Sequence, residues 1–97
     1  YENTVIQPYA SIGDNCVIRS SVHVSHHVQV ASHCFIAPGV VTGGNVQIEE
    51  QCVLGLGAII RDSVHLTQKT FVGAGSVVTK DTETSGVYIG VPARIRI

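Results

Sequence analysis

The sequence predicts an all-β fold, a parallel β-helix of about four coils with a short C-terminal loop or strand, and three observations predict it. Every sixth residue from Ile6 to Val78 is aliphatic in twelve of thirteen cases, with Thr42 the one exception. The residue four places later in each hexad, from Ala10, Cys16 and Val22 on to Ser76, is always small or β-branched. No helical period of 3.6 competes with this beat.

A strict period of six requires short strands joined by tight corners. Each hexad is then one side of a coil, and three hexads make an 18-residue turn. Successive turns stack as parallel strands about 4.8 Å apart. The aliphatic column is the expected core, each fully buried member contributing roughly 1.5–3 kcal/mol before chain entropy is subtracted. Cys16, Cys34 and Cys52 are 18 residues apart, so they are expected to stack at the small inward position as apolar groups. Burial raises a thiol's pKa, which argues against a nucleophile or a zinc ligand there. Three places after each aliphatic residue stand Tyr9, Asn15, Ser21, His27, His33, Gly39, Asn45, Gln51, Gly57, Ser63, Lys69, Gly75 and Asp81. Glycine, asparagine, aspartate and histidine tolerate positive φ, so this column is expected to hold the left-handed residue of each corner.

The composition narrows the function classes. The 97 residues are expected to form one domain, 1–97. A 44 % apolar, 13 % charged chain should be ordered, and a net charge of −1 gives no electrostatic case for nucleic acid or an anionic membrane. No window is long and apolar enough to span a bilayer, and the opening YENTVIQPYA lacks a basic and then apolar leader. An odd number of cysteines fits a reducing, cytoplasmic setting better than a disulfide scaffold.

Four of the five histidines fall within residues 23–33. His27 and His33 belong to the corner column. His23 and His65 close their hexads and suit surface or packing roles. His26 stands one place before a corner residue, where a side chain projects outward from an edge. A zinc site needs three or four convergent ligands, and these histidines are spread over different edges, so one copy offers no such set and no metal is expected. One outward histidine beside a cleft suffices for general-base chemistry; on pattern alone it is equally a surface histidine.

The order of segments IQPYASIGDNCVI, SHHVQVASHCFIAPGVVTGGNVQI, LGLGAIIRDSV, VGAGSVVTKD and GVYIGVPARIRI resembles the left-handed β-helix hexapeptide acyltransferases. It is most similar to their sialic-acid O-acetyltransferase and sugar-nucleotide N-acetyltransferase group. The resemblance implies a left-handed coil and an acetyl-CoA-dependent transferase with an amino-sugar nucleotide or related sugar as acceptor. It implies a homotrimer with active sites at the subunit interfaces. It makes His26 the catalytic base for direct attack on the thioester. It places Phe35, Leu56 and Ala74 against acetyl-CoA, with backbone beside Gly57 and Gly75 lining the groove and able to stabilise an oxyanion. Arg94, in the closing GVPAR, would meet a CoA phosphate.

The spacing supports part of this independently, since Pro38, Leu56 and Ala74 form one 18-residue column beside Gly39, Gly57 and Gly75. Three positions depart from the family pattern: His27 where a carboxylate often follows the base, Phe35 where a further histidine is common, and Arg19 where an asparagine lies near the acceptor. Asp62 shares His26's column two coils away, roughly 10 Å by the stacking distance. Many relatives carry a preceding α/β domain that grips the sugar nucleotide, so the chain is expected to be a fragment lacking it or to bind its acceptor elsewhere. Two other function classes fit the repeat: a non-catalytic β-helix scaffold, and a zinc-dependent hydratase of the carbonic-anhydrase type with histidines paired across an interface.

Overall fold

The computed structural model describes residues 3–96; residues 1–2 and 97 of the expected domain lie outside it. The chain winds into a three-sided solenoid of 34 × 22 × 20 Å. Face A stacks Val5–Ile6 (β1), His23–Val24 (β4), Val41–Thr42 (β7), Ile59–Ile60 (β10) and Val77–Val78 (β13). Face B stacks Ser11–Ile12 (β2), Gln29–Val30 (β5), Gln47–Ile48 (β8) and His65–Leu66 (β11). Face C stacks Val17–Ile18 (β3), Phe35–Ile36 (β6), Val53–Leu54 (β9), Thr70–Val72 (β12) and Gly86–Gly90 (β14), closed by antiparallel Ala93–Arg96 (β15). Two faces are thus five parallel strands deep: face A because the hexad beat both begins and ends on it, at β1 and β13, and face C because β14 stacks on β12 after the beat has ended. All other pairings are parallel, with partners 18 residues apart up to β13.

The aliphatic column is the core. Ile36, Leu54, Ile60, Leu66 and Val72 are fully buried, whereas Ile6 is 48 % exposed and Ile12 and Ile18 are half-buried in the first coil. The cysteines stack inward as expected, all three as free thiols. Each donates to a carbonyl fifteen residues on: Cys16 to Ala31 at 3.0 Å, Cys34 to Glu49 at 3.2 Å and Cys52 to Thr67 at 3.2 Å. Burial pushes the Cys16 thiol up, whereas the hydrogen bond between Cys34 and Cys52 splits that pair, holding Cys52 far above the ordinary thiol range and lowering Cys34, against the uniform rise expected. Thr70 ends the ladder, its hydroxyl donating to Thr67 O at 2.7 Å.

The corner column is left-handed at every expected position but one. Tyr9, Asn15, Ser21, His27, His33, Asn45, Gln51, Ser63 and Lys69 have φ between 56° and 65°, and Gly39, Gly57 and Gly75 have 77°, 69° and 69°. Asp81 does not join them, and the reason is a contracted last turn. Thr82 stacks on Leu66 and Gly86 on Thr70, sixteen residues away rather than eighteen. Side chains fill the gap: the Asp81 carboxylate accepts the His65 N–H at 2.8 Å, and the Thr82 hydroxyl accepts the Thr67 N–H at 2.8 Å. Among the described residues no helix is long and apolar enough to cross a membrane.

Leu54 touches solvent nowhere, whereas Ile6 is half exposed. Leu54→Ala should therefore cost about 2–5 kcal/mol in chemical denaturation, and Ile6→Ala clearly less.

Candidate functional site

The edge between faces A and B repeats Pro8, His26, Gly44 and Asp62 at its outer corner position. His26 is exposed there, with its ring laid across Gly44 one coil on. A Cβ built on Gly44 would meet His26 Cε1 and Nε2 at 2.7 Å each. The glycine in GGNV is therefore the seat of the imidazole, and the ring lies one coil nearer Asp62 than its backbone does. His26 Nδ1 lies 3.1 Å from Nδ1 of His27. The His27 ring stacks on Tyr9 of the preceding coil, with centroids 5.1 Å apart and planes 12° from parallel.

The backbone entering this corner is pinned from inside. Thr42 is fully buried. Its hydroxyl accepts from the Ser25 amide at 3.4 Å and reaches His23 O at 3.5 Å, while the Ser25 hydroxyl donates to Thr42 O at 2.6 Å. The one break in the aliphatic column is thus a polar tie to the residue before His26. Gly44, Thr42, Ser25 and Tyr9 were not marked as site residues by the sequence, although the Thr42 exception was its visible signal.

The edge between faces C and A carries the other set. Leu56 is 60 % exposed, Ala74 is exposed, and Gly57 and Gly75 would meet nothing within 4 Å if given a Cβ. The glycine amides themselves are occupied, since Gly57 N–H donates to Pro38 O at 3.0 Å and Gly75 N–H to Leu56 O at 2.8 Å. They hold coil to coil and cannot serve an oxyanion. The amides of Leu56 and Ala74 have no acceptor among the described residues. Phe35 lies exposed on the adjoining face C, between Val17 and Val53. Arg94 lies on the same face in β15, opposite Ile89. The expected loop is a hairpin, fixed to the Gly75 corner by Gly90 N–H donating to Ser76 Oγ at 3.0 Å.

The structure therefore gathers Phe35, Leu56, Gly57, Ala74, Gly75 and Arg94 along face C and its edge with face A, and puts His26 on a different edge. Face A lies between them. The remaining histidines are dispersed: His23 on face A, His33 at the edge between B and C, and His65 on face B paired with Glu49. Among the described residues no three His, Cys, Asp or Glu side chains are grouped for a metal ion. Face B is the polar one, and its outward residues Ser11, Gln29, Gln47 and His65 floor a shallow groove of about 360 Å³.

Two substitutions probe this arrangement. Gly44→Ala should push the His26 imidazole off its seat, read as a change in its ring NMR signals with little loss of stability. Thr42→Val should leave Ser25 short of its buried acceptor and cost about 1–3 kcal/mol in a thermal melt.

Two family models match adjoining stretches of the chain. One, described as bacterial transferase hexapeptide (six repeats), matches residues 9–44, and the other, hexapeptide repeat of succinyl-transferase, matches residues 45–80. Among solved structures, the chain is 33 % identical to a mutant of perosamine N-acetyltransferase from Caulobacter crescentus in complex with CoA and GDP-perosamine. That likeness covers 97 % of this chain and 45 % of that one, with a TM-score of 0.95. It is 30 % identical to a serine O-acetyltransferase from Brucella melitensis, over 94 % of this chain and 39 % of that one, with a TM-score of 0.89. A maltose O-acetyltransferase from Clostridium difficile 630 shares the fold at 22 % identity and a TM-score of 0.87, over 96 % of this chain and 64 % of that one. The chain thus spans less than two thirds of each of these proteins. No curated protein matches it by sequence. The six-residue beat, the stacked three-sided coil and two adjoining repeat matches that together run from residue 9 to residue 80 agree: the chain belongs to the hexapeptide-repeat family.

Proposed function

We propose that this chain forms the β-helix of an acetyl-CoA-dependent acetyltransferase acting on an amino-sugar nucleotide or related sugar. The observation that carries the reading is the likeness, over nearly the whole chain, to perosamine N-acetyltransferase in complex with CoA and GDP-perosamine. The edge between faces C and A fits such a donor. Bare glycine corners at 57 and 75 leave room for a thin pantetheine chain, and the Leu56 and Ala74 amides are open to its carbonyls. Phe35 would pack against it, and Arg94 would meet a phosphate at the far end of the face.

His26 would act as general base. It takes a proton from the acceptor's amine or hydroxyl as that atom attacks the thioester carbon. A C–N or C–O bond forms, the C–S bond breaks, and the proton passes from His26 to the departing sulfur. No acyl-enzyme is needed, which agrees with thiols that all face inward. His26 and the donor edge stand on different edges of one prism, so the site would be completed by a neighbouring copy. Outward rows support burial between copies: Val5, Val41 and Ile59 on face A, and Val17, Phe35 and Phe71 on face C, are all large apolar residues at least 38 % exposed. We read the assembly as a homotrimer and the compartment as the cytoplasm, where three free thiols stay reduced.

His26→Ala should cut turnover about 10²- to 10⁴-fold while leaving acetyl-CoA binding and the melting temperature near the parent values. Turnover retained in that variant would remove His26 from the mechanism. Ala74→Trp should fill the donor edge and weaken acetyl-CoA about tenfold or more in a calorimetric titration; unchanged affinity would move the donor to another surface.

A further inference from the structure

We infer that His27, braced by Tyr9, is a positioning residue that fixes the tautomer of His26; the inference rests on the reading of His26 as general base. Two neutral imidazoles in contact through their Nδ1 atoms share one proton between them, because one nitrogen must donate and the other accept. At 3.1 Å the His26–His27 contact is such a bond. With the proton on His26, its Nδ1–H donates to His27 Nδ1, and His26 Nε2 keeps the lone pair a base requires. With the proton on His27, His26 carries hydrogen on Nε2 and is left with no free basic nitrogen. Which nitrogen of a histidine is protonated is set by the hydrogen bond the other makes. The structure assigns the partner, and the proposed chemistry requires the first arrangement.

Three features hold His27 ready as the acceptor. Its ring lies flat on Tyr9, which limits rotation about χ2. Its backbone is locked at φ 59° in the corner, with its amide donating to Pro8 O at 3.4 Å. The two ring planes cross at 85° with their Nδ1 atoms facing each other at 3.1 Å, so each nitrogen meets the other at its ring edge. Gly44 completes the cage from the next coil. The charged groups facing this edge are Asp62 and Arg61, which contact each other at 4.0 Å two coils on. Neither is hydrogen-bonded to either imidazole among the described residues. Among the described residues, His27 is thus the one polar side chain bonded to the candidate base.

The test compares the parent chain with His27→Asn, His27→Ala and His26→Ala. Asparagine suits positive φ and can present an oxygen near the place of Nδ1. Nitrogen-15 NMR of the His26 ring reads the tautomer directly. The expected result is hydrogen on Nδ1 of His26 in the parent and in His27→Asn, and hydrogen on Nε2 in His27→Ala. Turnover should fall about 10- to 100-fold in His27→Ala and largely return in His27→Asn, with KM for acetyl-CoA and melting temperature unmoved. Hydrogen on Nε2 of His26 in the parent, or full turnover in His27→Ala, would overturn the inference. His26→Ala separates the two claims: if it stays active, the base assignment itself fails, whereas an inactive His26→Ala beside a fully active His27→Ala removes only the role of His27.

Discussion

Everything in this molecule depends on the backbone ladder between coils. Strand amides donate to the next coil, as Phe35 N–H does to Cys52 O at 3.0 Å and Val41 N–H to Ala58 O at 3.0 Å. Corner amides donate to the preceding coil, as Asn45 N–H does to His26 O at 3.1 Å and Ser63 N–H to Gly44 O at 2.9 Å. Each coil is tied in both directions, and the 18-residue register follows. The ladder requires a residue in the left-handed region at each corner, and most of those residues are not glycine. Such backbone costs on the order of 1–2 kcal/mol per residue, and it persists because from His27 to Gly75 each strained corner closes an intercoil hydrogen bond and lets an aliphatic residue turn inward.

The same ladder decides what each edge can do. A side chain just before the left-handed residue projects outward, so one column of the sequence becomes one edge of the prism. Along the edge between A and B that column supplies a histidine followed, one coil on, by a glycine small enough for its ring to rest on. Along the edge between C and A it supplies a proline, a leucine and an alanine beside a bare glycine row. The glycine N–H groups are consumed by stacking, which leaves the neighbouring amides of Leu56 and Ala74 as the donors a bound molecule can reach. One solenoid thus presents two different chemical surfaces from the same position of its repeat.

The period of six made the core, the inward cysteines and twelve of the thirteen corner residues legible from sequence, because in a solenoid position in the repeat is position in space. Legibility ended where the period did. The sixteen-residue final turn moved Asp81 out of the corner column and turned its carboxylate into a cap for His65, and no spacing rule announced that. Contacts between columns were also hidden. That Gly44 seats His26, and that Tyr9 stacks on His27, depends on how side chains lean across one coil spacing. Thr42 was visible as an exception without its purpose, which emerged only when its hydroxyl was found beside Ser25. His26 and the donor edge were both named from the sequence; their separation by a whole face was not.

That separation is the centre of the account, since a general base at His26 and a donor on the other edge, as proposed, call for a site completed between copies. Complementation measures it most directly. His26→Ala and Ala74→Trp, each weak in acetyl transfer alone, would be dissociated, mixed and reassembled, and acetyl transfer to an amino-sugar nucleotide followed by release of the CoA thiol. The account predicts that activity returns in the mixture, because an intact His26 from one copy meets an intact donor edge from another. A mixture no more active than its components, with mixed assembly verified by mass, would contradict a site shared between copies.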